Sequence, residues 1–266
     1  MDSPVYVGFP AATDSSNKLW VKSAAGAQTI DGPVLKLNAT SKSPVNVILE
    51  QDNSIVTAYN TANGTSYAVP TASQYNIPSL TVTIPAGERT GKLMINIPNP
   101  SLLSFTQTYA FGFKIASVDG ENTINVTGKT VMATMTLINQ YDGIYVLTGY
   151  SYDVSDPSRT GNTGPVEMTL YSTGIYSVRM LEPHPVPGTA FPPGAAISHP
   201  SYTVYPVIYG VTISSDGGPF PAGMMNEPGY SSRYEPLTKT FYVSSIWSIA
   251  VGRKFTDTLR YIRRRL

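Results

Sequence analysis

The chain has 266 residues, no cysteine, and 18 Lys+Arg against 17 Asp+Glu, a net charge of +1. Only 13% of residues are charged, against about 25% in an average soluble domain, while 41% are hydrophobic and 18 are tyrosine. That balance excludes intrinsic disorder and Glu/Lys-rich coiled coils. The missing cysteines exclude disulfides, zinc–thiolate sites and thiol catalysis, and no run of 18 apolar residues offers a membrane-spanning helix. The length predicts one large or two medium domains.

Taken in chain order, the sequence reads as strands almost throughout. Period-two patterns cover residues 34–39, 45–50 and 80–84, the last ending at Pro85-Ala86-Gly87, a turn signal. Further patterns cover residues 91–97, 109–118 and 130–138. Asp119-Gly120 suits a tight hairpin, where positive φ is needed. Residues 52–60 and 71–75 carry cap-type residues ahead of apolar ones and predict short helical turns. About seven antiparallel strands without intervening helices suggest an immunoglobulin-like two-sheet sandwich over residues 1–139.

The pattern breaks near Asn139-Gln140-Tyr141-Asp142-Gly143 and restarts. Strands are expected at 144–150, 166–170, 174–181, 201–213, 240–249 and 255–262. Residues 182–200 hold six prolines, which cannot donate to a sheet ladder, so they are expected to form a surface loop or a polyproline-like segment; a Gly/Pro loop is expected at 216–236. Residues 140–266 are therefore a second antiparallel β domain, a small barrel (lipocalin-like) or another sandwich. The whole chain is expected to be all-β.

Charge is uneven. The last fourteen residues hold Arg253, Lys254, Arg260, Arg263, Arg264 and Arg265 against Asp257, leaving a body of 12 basic and 16 acidic groups, net −4. A terminal strand with a solvated end is expected, ahead of contact with a polyanion or anionic lipid. Nucleic acid is not an expected partner, because the body lacks a basic face.

Several elements of the first half belong together: Pro44-Val45-Asn46-Val47, Asp52-Asn53-Ser54-Ile55-Val56-Thr57-Ala58-Tyr59-Asn60, Tyr67 and Tyr75, Ile84-Pro85-Ala86-Gly87, and Tyr109-Ala110-Phe111 and Ile115. Through them the first half resembles a Bacteroidetes domain of unknown function, found at the N-terminus of surface lipoproteins, including some endo-N-acetylglucosaminidases and companions of starch-utilisation-type glycan receptors. The second half is similar, more loosely, to domains that follow this module, through Asp142-Gly143-Ile144-Tyr145, Leu170-Tyr171-Ser172-Thr173-Gly174 and Gly252-Arg253-Lys254-Phe255-Thr256-Asp257-Thr258. The resemblance implies a cell-envelope protein at the outer-membrane surface, or a secreted one. Its expected partners are a glycan and the proteins of an outer-membrane receptor complex. Membrane contact would run only through a lipid anchor upstream of the sequence, since the anchoring cysteine is not in it, and no stretch resembles the glycoside hydrolase domain of some relatives.

Catalytic equipment is sparse. A glycosidase needs two carboxylates about 5–9.5 Å apart; the nearest candidates, Asp153 and Asp156, read as a polar turn before Pro157. His184 and His199 stand beside prolines and are expected on a surface loop, and a metal site would need a third ligand such as Glu182. Asp119-Gly120-Glu121-Asn122 lacks the spaced oxygens of a calcium loop, and Gly149-Tyr150-Ser151-Tyr152 is not a nucleophile elbow. No catalytic residue, metal or cofactor is assigned. Aromatic residues remain: flat rings stack on sugar faces, and Tyr and Trp add a polar handle. Tyr230 and Tyr234, with Asn226 and Arg233 nearby and Trp247 further on, are the expected ligand-binding set, Tyr230 and Tyr234 as an exposed loop pair. The expected function is non-catalytic glycan binding or scaffolding in polysaccharide acquisition. A structural adhesin that binds protein is the first alternative and an unrecognised glycoside hydrolase the second.

Overall fold

A computed structural model describes residues 5–10, 17–120, 122–182, 184–187, 200–215, 224–247 and 252–265. The chain divides into two compact units, Met1–Ile138 and Asn139–Leu266, and both are β structures.

The first unit contains β1 (Tyr6–Gly8), β2 (Asn17–Lys22), β3 (Gln28–Leu37), β4 (Val45–Gln51), α1 (Ser54–Asn63), β5 (Thr81–Ile84), β6 (Thr90–Ile97), β7 (Tyr109–Val118), β8 (Thr123–Ile124) and β9 (Thr130–Ile138). They form a five-stranded sheet, β2-β9-β7-β4-β5, and a four-stranded sheet, β6-β3-β1-β8. Side chains from both sheets share one core, including Leu35, Leu37 and Ile95 from one and Val47, Phe111 and Val131 from the other. The expected sandwich is present, but with nine strands among the described residues, and β1–β8 and β2–β9 pair in parallel. The early strands are short, with only two or three apolar residues facing in, too little for a clear period-two signal.

In β4 and β6 alternate residues are buried. The first half of β7 is buried on both faces because α1 covers it, placing Val56 against Ala110 and Met132. Gly112 permits that approach: a Cβ there would lie 2.1 Å from the Asp52 carbonyl oxygen. Gly64, at φ 63, ends the helix in the left-handed region, where glycine carries no Cβ penalty. The second expected helical turn, at 71–75, is only a hydrogen-bonded turn closed by Gln74 N–H donating to the Thr71 carbonyl.

The second unit contains β10 (Gly143–Asp153), β11 (Gly161–Ser172), β12 (Ser177–Met180), β13 (Pro200–Val204), β14 (Val211–Ser215), β15 (Met224–Asn226), β16 (Arg233–Glu235), β17 (Thr240–Trp247) and β18 (Arg253–Arg263). From β10 to β14 each strand pairs with its sequence neighbour, β17 pairs with β18, and β18 returns to pair with β10 along ten residues. Strands β15 and β16 both pair with β17, at its two ends, and act as one interrupted stave. Among the described residues the result is an up-and-down barrel of eight staves, so the barrel among the expected architectures is the one adopted.

The last seam, between β14 and the interrupted stave, is bridged in two ways. Val211 N–H donates to the Ser232 carbonyl at 2.8 Å and Tyr234 N–H to the Tyr209 carbonyl at 2.7 Å. Further along, the Asn226 side-chain amide stands in for a peptide group: Ile213 N–H donates to its Oδ1 at 2.8 Å, and its Nδ2 donates to the Val211 carbonyl at 2.7 Å.

One loop expectation is corrected: the described part of 216–236 contains β15 and β16. The strands expected over 201–213 are the hairpin β13–β14, turning at 205–210. Much of the proline stretch, residue 183 and residues 188–199, lies outside the described residues. The basic tail is the closing strand β18, and its bases are largely paired: Arg253 with Asp153, Lys254 with Glu227, Arg263 with Glu167 and Arg265 with Asp142.

Candidate functional site

Period-two alternation sends Tyr145, Leu147, Ser151 and Asp153 of β10 into the barrel. It sends Tyr150 and Tyr152 outward, where they are 47% and 49% exposed. Residues two apart on a strand are about 6.8 Å apart on one face, so the two rings form one platform. Tyr150 is paired with Thr256 and Tyr152 with Lys254 on β18, and Asn162 of β11 lies on the other side of Tyr150. Tyr150, Tyr152, Lys254 and Thr256 line a groove of about 340 Å³. Lys254 Nζ is 2.6 Å from Glu227 Oε1, and Glu227 Oε2 accepts from Ser244 Oγ at 2.6 Å. Those bonds, Lys254's first and Ser244's second, hold the Glu227 carboxyl below its ordinary range.

The barrel interior behind the platform is polar, with Ser151, Asp153, Thr163, His184 and Asp257 all buried. His184 Nε2 is 2.7 Å from Asp257 Oδ2, both residues are buried, and the imidazole lies on Phe255 with ring centroids 4.3 Å apart. Gly149 makes room for the carboxylate: a Cβ there would sit 2.2 Å from Asp257 Oδ1 and 2.6 Å from the Thr256 carbonyl oxygen. Nearby, Asp153 Oδ2 receives Arg253 at 2.6 and 2.7 Å, while its Oδ1 accepts from Ser155 and Asp156. Burial alone would raise the Asp153 pKa; the Ser155 and Arg253 bonds outweigh it, and the group is lowered.

The sequence-predicted residues fall in different places. Tyr234, expected in an exposed loop, is a core residue at 5% exposure, and burial pushes its hydroxyl pKa up to about 12. Its ring packs on Tyr141 and Phe241 at 4.9 and 4.8 Å. The reason is that β16 alternates Arg233 out, Tyr234 in, Glu235 half-out, an order invisible while the segment reads as a loop. Tyr230 is half-buried in the break between β15 and β16. Arg233 is exposed, with its guanidinium 4.6 Å from the Tyr242 ring centroid. Trp247 ends β17, opposite Met224 and Arg253. Asn226 closes the barrel seam; Asn226→Ala is expected to cost about 1–3 kcal/mol in urea unfolding, the penalty of leaving the Ile213 N–H and the Val211 carbonyl unmatched. Asn226→Asp, which accepts but cannot donate, is expected to destabilise as well.

His184, expected at the surface, is 3% exposed, and His199 lies outside the described residues. Glu182 is engaged by the Thr169 N–H and hydroxyl at 2.6 and 2.7 Å. Asp156 accepts from Ser158 N–H and pairs with Arg159. Among the described residues no three His, Cys, Asp or Glu side chains gather into a metal-binding group. Tyr150 and Tyr152 escaped the sequence reading because the inward residues between them and beyond, Gly149 and Ser151, are small; extending the strand past residue 150 would have put both rings on one face.

Residues 2–122 match a family model described as a "-like, N-terminal domain", and no curated protein matches the sequence. Among solved structures, a structural-genomics protein of unknown function from Bacteroides ovatus superposes with a TM-score of 0.57 at 12% identity, covering 99% of this chain and 96% of that one. An auxiliary nutrient binding protein from Bacteroides thetaiotaomicron gives 0.50 at 14% identity, covering 95% and 92%. EndoBT-3987 of Bacteroides thetaiotamicron, solved with its Man5GlcNAc product, gives 0.37 at 17% identity over 45% of this chain and 28% of that one. The N-terminal likeness read from the sequence thus stands for the first unit, and the two-unit β fold is shared with Bacteroides proteins.

Proposed function

We propose that the protein is a non-catalytic glycan-binding protein of the cell envelope, and that the outer barrel face at Tyr150 and Tyr152 is its binding surface. The observation that carries this is the exposed tyrosine pair on a single strand of a closed barrel, lining a groove with Lys254 and Thr256. Aromatic faces stack on the C–H faces of sugar rings, and hydroxyl and ammonium groups bond their hydroxyls. The barrel holds both rings in place before ligand arrives, which lowers the ordering cost of binding. The carboxylates Asp153, Asp156, Glu182 and Glu227 each have donors within 3.2 Å, an arrangement suited to stability rather than turnover. The shared fold with an auxiliary nutrient binding protein supports the same assignment. In this scheme the first unit is a spacer or docking module toward an outer-membrane receptor complex.

Titration calorimetry against host and plant polysaccharides tests the proposal. Tyr150→Ala and Tyr152→Ala are each expected to weaken binding roughly 5–10-fold, about the value of one aromatic stacking contact. Neither is expected to move stability by more than about 0.5 kcal/mol, since both rings are on the surface. Unchanged affinity in both variants would remove the platform from the account.

A further inference from the structure

The groove under Tyr150 and Tyr152 contains one cation, Lys254, and that charge is already answered. Glu227 is held there by both carboxylate oxygens, one on Lys254 and one on Ser244, and by its own N–H, which donates to the Ser244 carbonyl at 3.0 Å. The acid reaches this place because the stave breaks after Asn226, and the residue that follows crosses β17 to the ammonium on β18. Its lowered pKa keeps it ionised at neutral pH. Two nearby cations are paired as well, Arg253, next to Lys254 in sequence, with Asp153, and Arg159, in the turn between β10 and β11, with Asp156; Arg233 and Arg260 are farther off. Arg233 lies three strand spacings from Tyr150, roughly 14 Å, and Arg260 four residues beyond Thr256, roughly 13 Å. Both distances exceed the screening length of about 8 Å at physiological ionic strength.

We infer that the groove selects neutral glycans over acidic ones and that Glu227 is the residue that sets this selectivity; the inference rests on the glycan-binding proposal above. A uronate placed near Lys254 meets an ammonium already paired and a fixed carboxylate beside it. It would lose hydration and gain little attraction in return. A neutral chain stacks on the two rings and takes the remaining ammonium N–H groups and the Thr256 hydroxyl without that repulsion.

The test uses the full chain and matched probes: neutral polysaccharides and the same polymers oxidised at C6 to uronates, titrated into the wild type, Glu227→Gln and Tyr152→Ala. The wild type is expected to bind the neutral form at least about tenfold more tightly. Glu227→Gln, which keeps the amide in the carboxylate's place, is expected to shrink that ratio about fivefold or more by strengthening uronate binding. If the wild type binds oxidised and neutral polymers equally, or prefers the oxidised, while Tyr152→Ala still weakens binding, the selectivity inference fails and the platform stands. If the wild type binds neither form, or Tyr152→Ala changes nothing, the platform falls and takes this inference with it. Should Glu227→Gln not fold, Lys254→Gln replaces it: retained rejection of uronates supports Glu227 as the selecting group, and equal binding of both forms overturns it.

Discussion

Asp142→Ala is expected to lower the stability of the second unit by about 3–5 kcal/mol, the usual cost of removing one member of a buried ion pair. Asp142 Oδ2 accepts from Ser172 N–H at 2.8 Å, Ser172 Oγ at 2.9 Å and Arg265 Nη2 at 2.8 Å, and Oδ1 accepts from Arg265 Nε at 2.7 Å. The carboxylate is 1% exposed and its guanidinium partner 22%. Its neighbour Asn139 adds to the knot: its N–H donates to Ser172 Oγ, and its side-chain amide donates to the Gly174 and Ser177 carbonyls. One acid therefore ties the chain's entry into the barrel, the β11–β12 turn and the end of β18. Alanine would take the acceptor from the Ser172 N–H and the carboxylate from beside the Arg265 guanidinium. Arg265→Ala is expected to cost less, because Asp142 keeps its two Ser172 donors. Urea unfolding checks both, and a loss under about 1 kcal/mol for Asp142→Ala would show that the knot is ornamental to the barrel.

His184→Ala should cost a similar amount, about 3–5 kcal/mol, for a related reason. Removing the imidazole takes from the buried Asp257 carboxylate the partner on its Oδ2 and strips a ring from Phe255. The informative comparison is with His184→Leu combined with Asp257→Leu. That pair removes both polar groups and refills the space. It is expected to cost at least about 2 kcal/mol less than the two single changes summed, since members of one network do not add. Strict additivity would mean that the two side chains do not depend on each other, contrary to their 2.7 Å contact.

How much of this was legible beforehand follows from the period of the strands. The long staves β7, β9 and β18 stood out because apolar residues recur at every second place, or run continuously where both faces are covered. Short strands such as β1, β15 and β16 carry three residues each, too few for a period to be seen. Tyr234 looked like a loop residue for that reason, and Tyr150 and Tyr152 were passed over because their inward neighbours Gly149 and Ser151 carry no apolar signal.

Alternation of apolar and polar side chains and the turn residues between runs were enough to establish an all-β protein. These are local properties, written in neighbours along the chain. Which strands closed the barrel, that Asn226 bridges its seam, and that Glu227 neutralises Lys254 beside two tyrosines from a strand some 75 residues earlier in the chain are products of long-range pairing. Side-chain meetings across such separations depend on register, and register exists only once the sheet has formed.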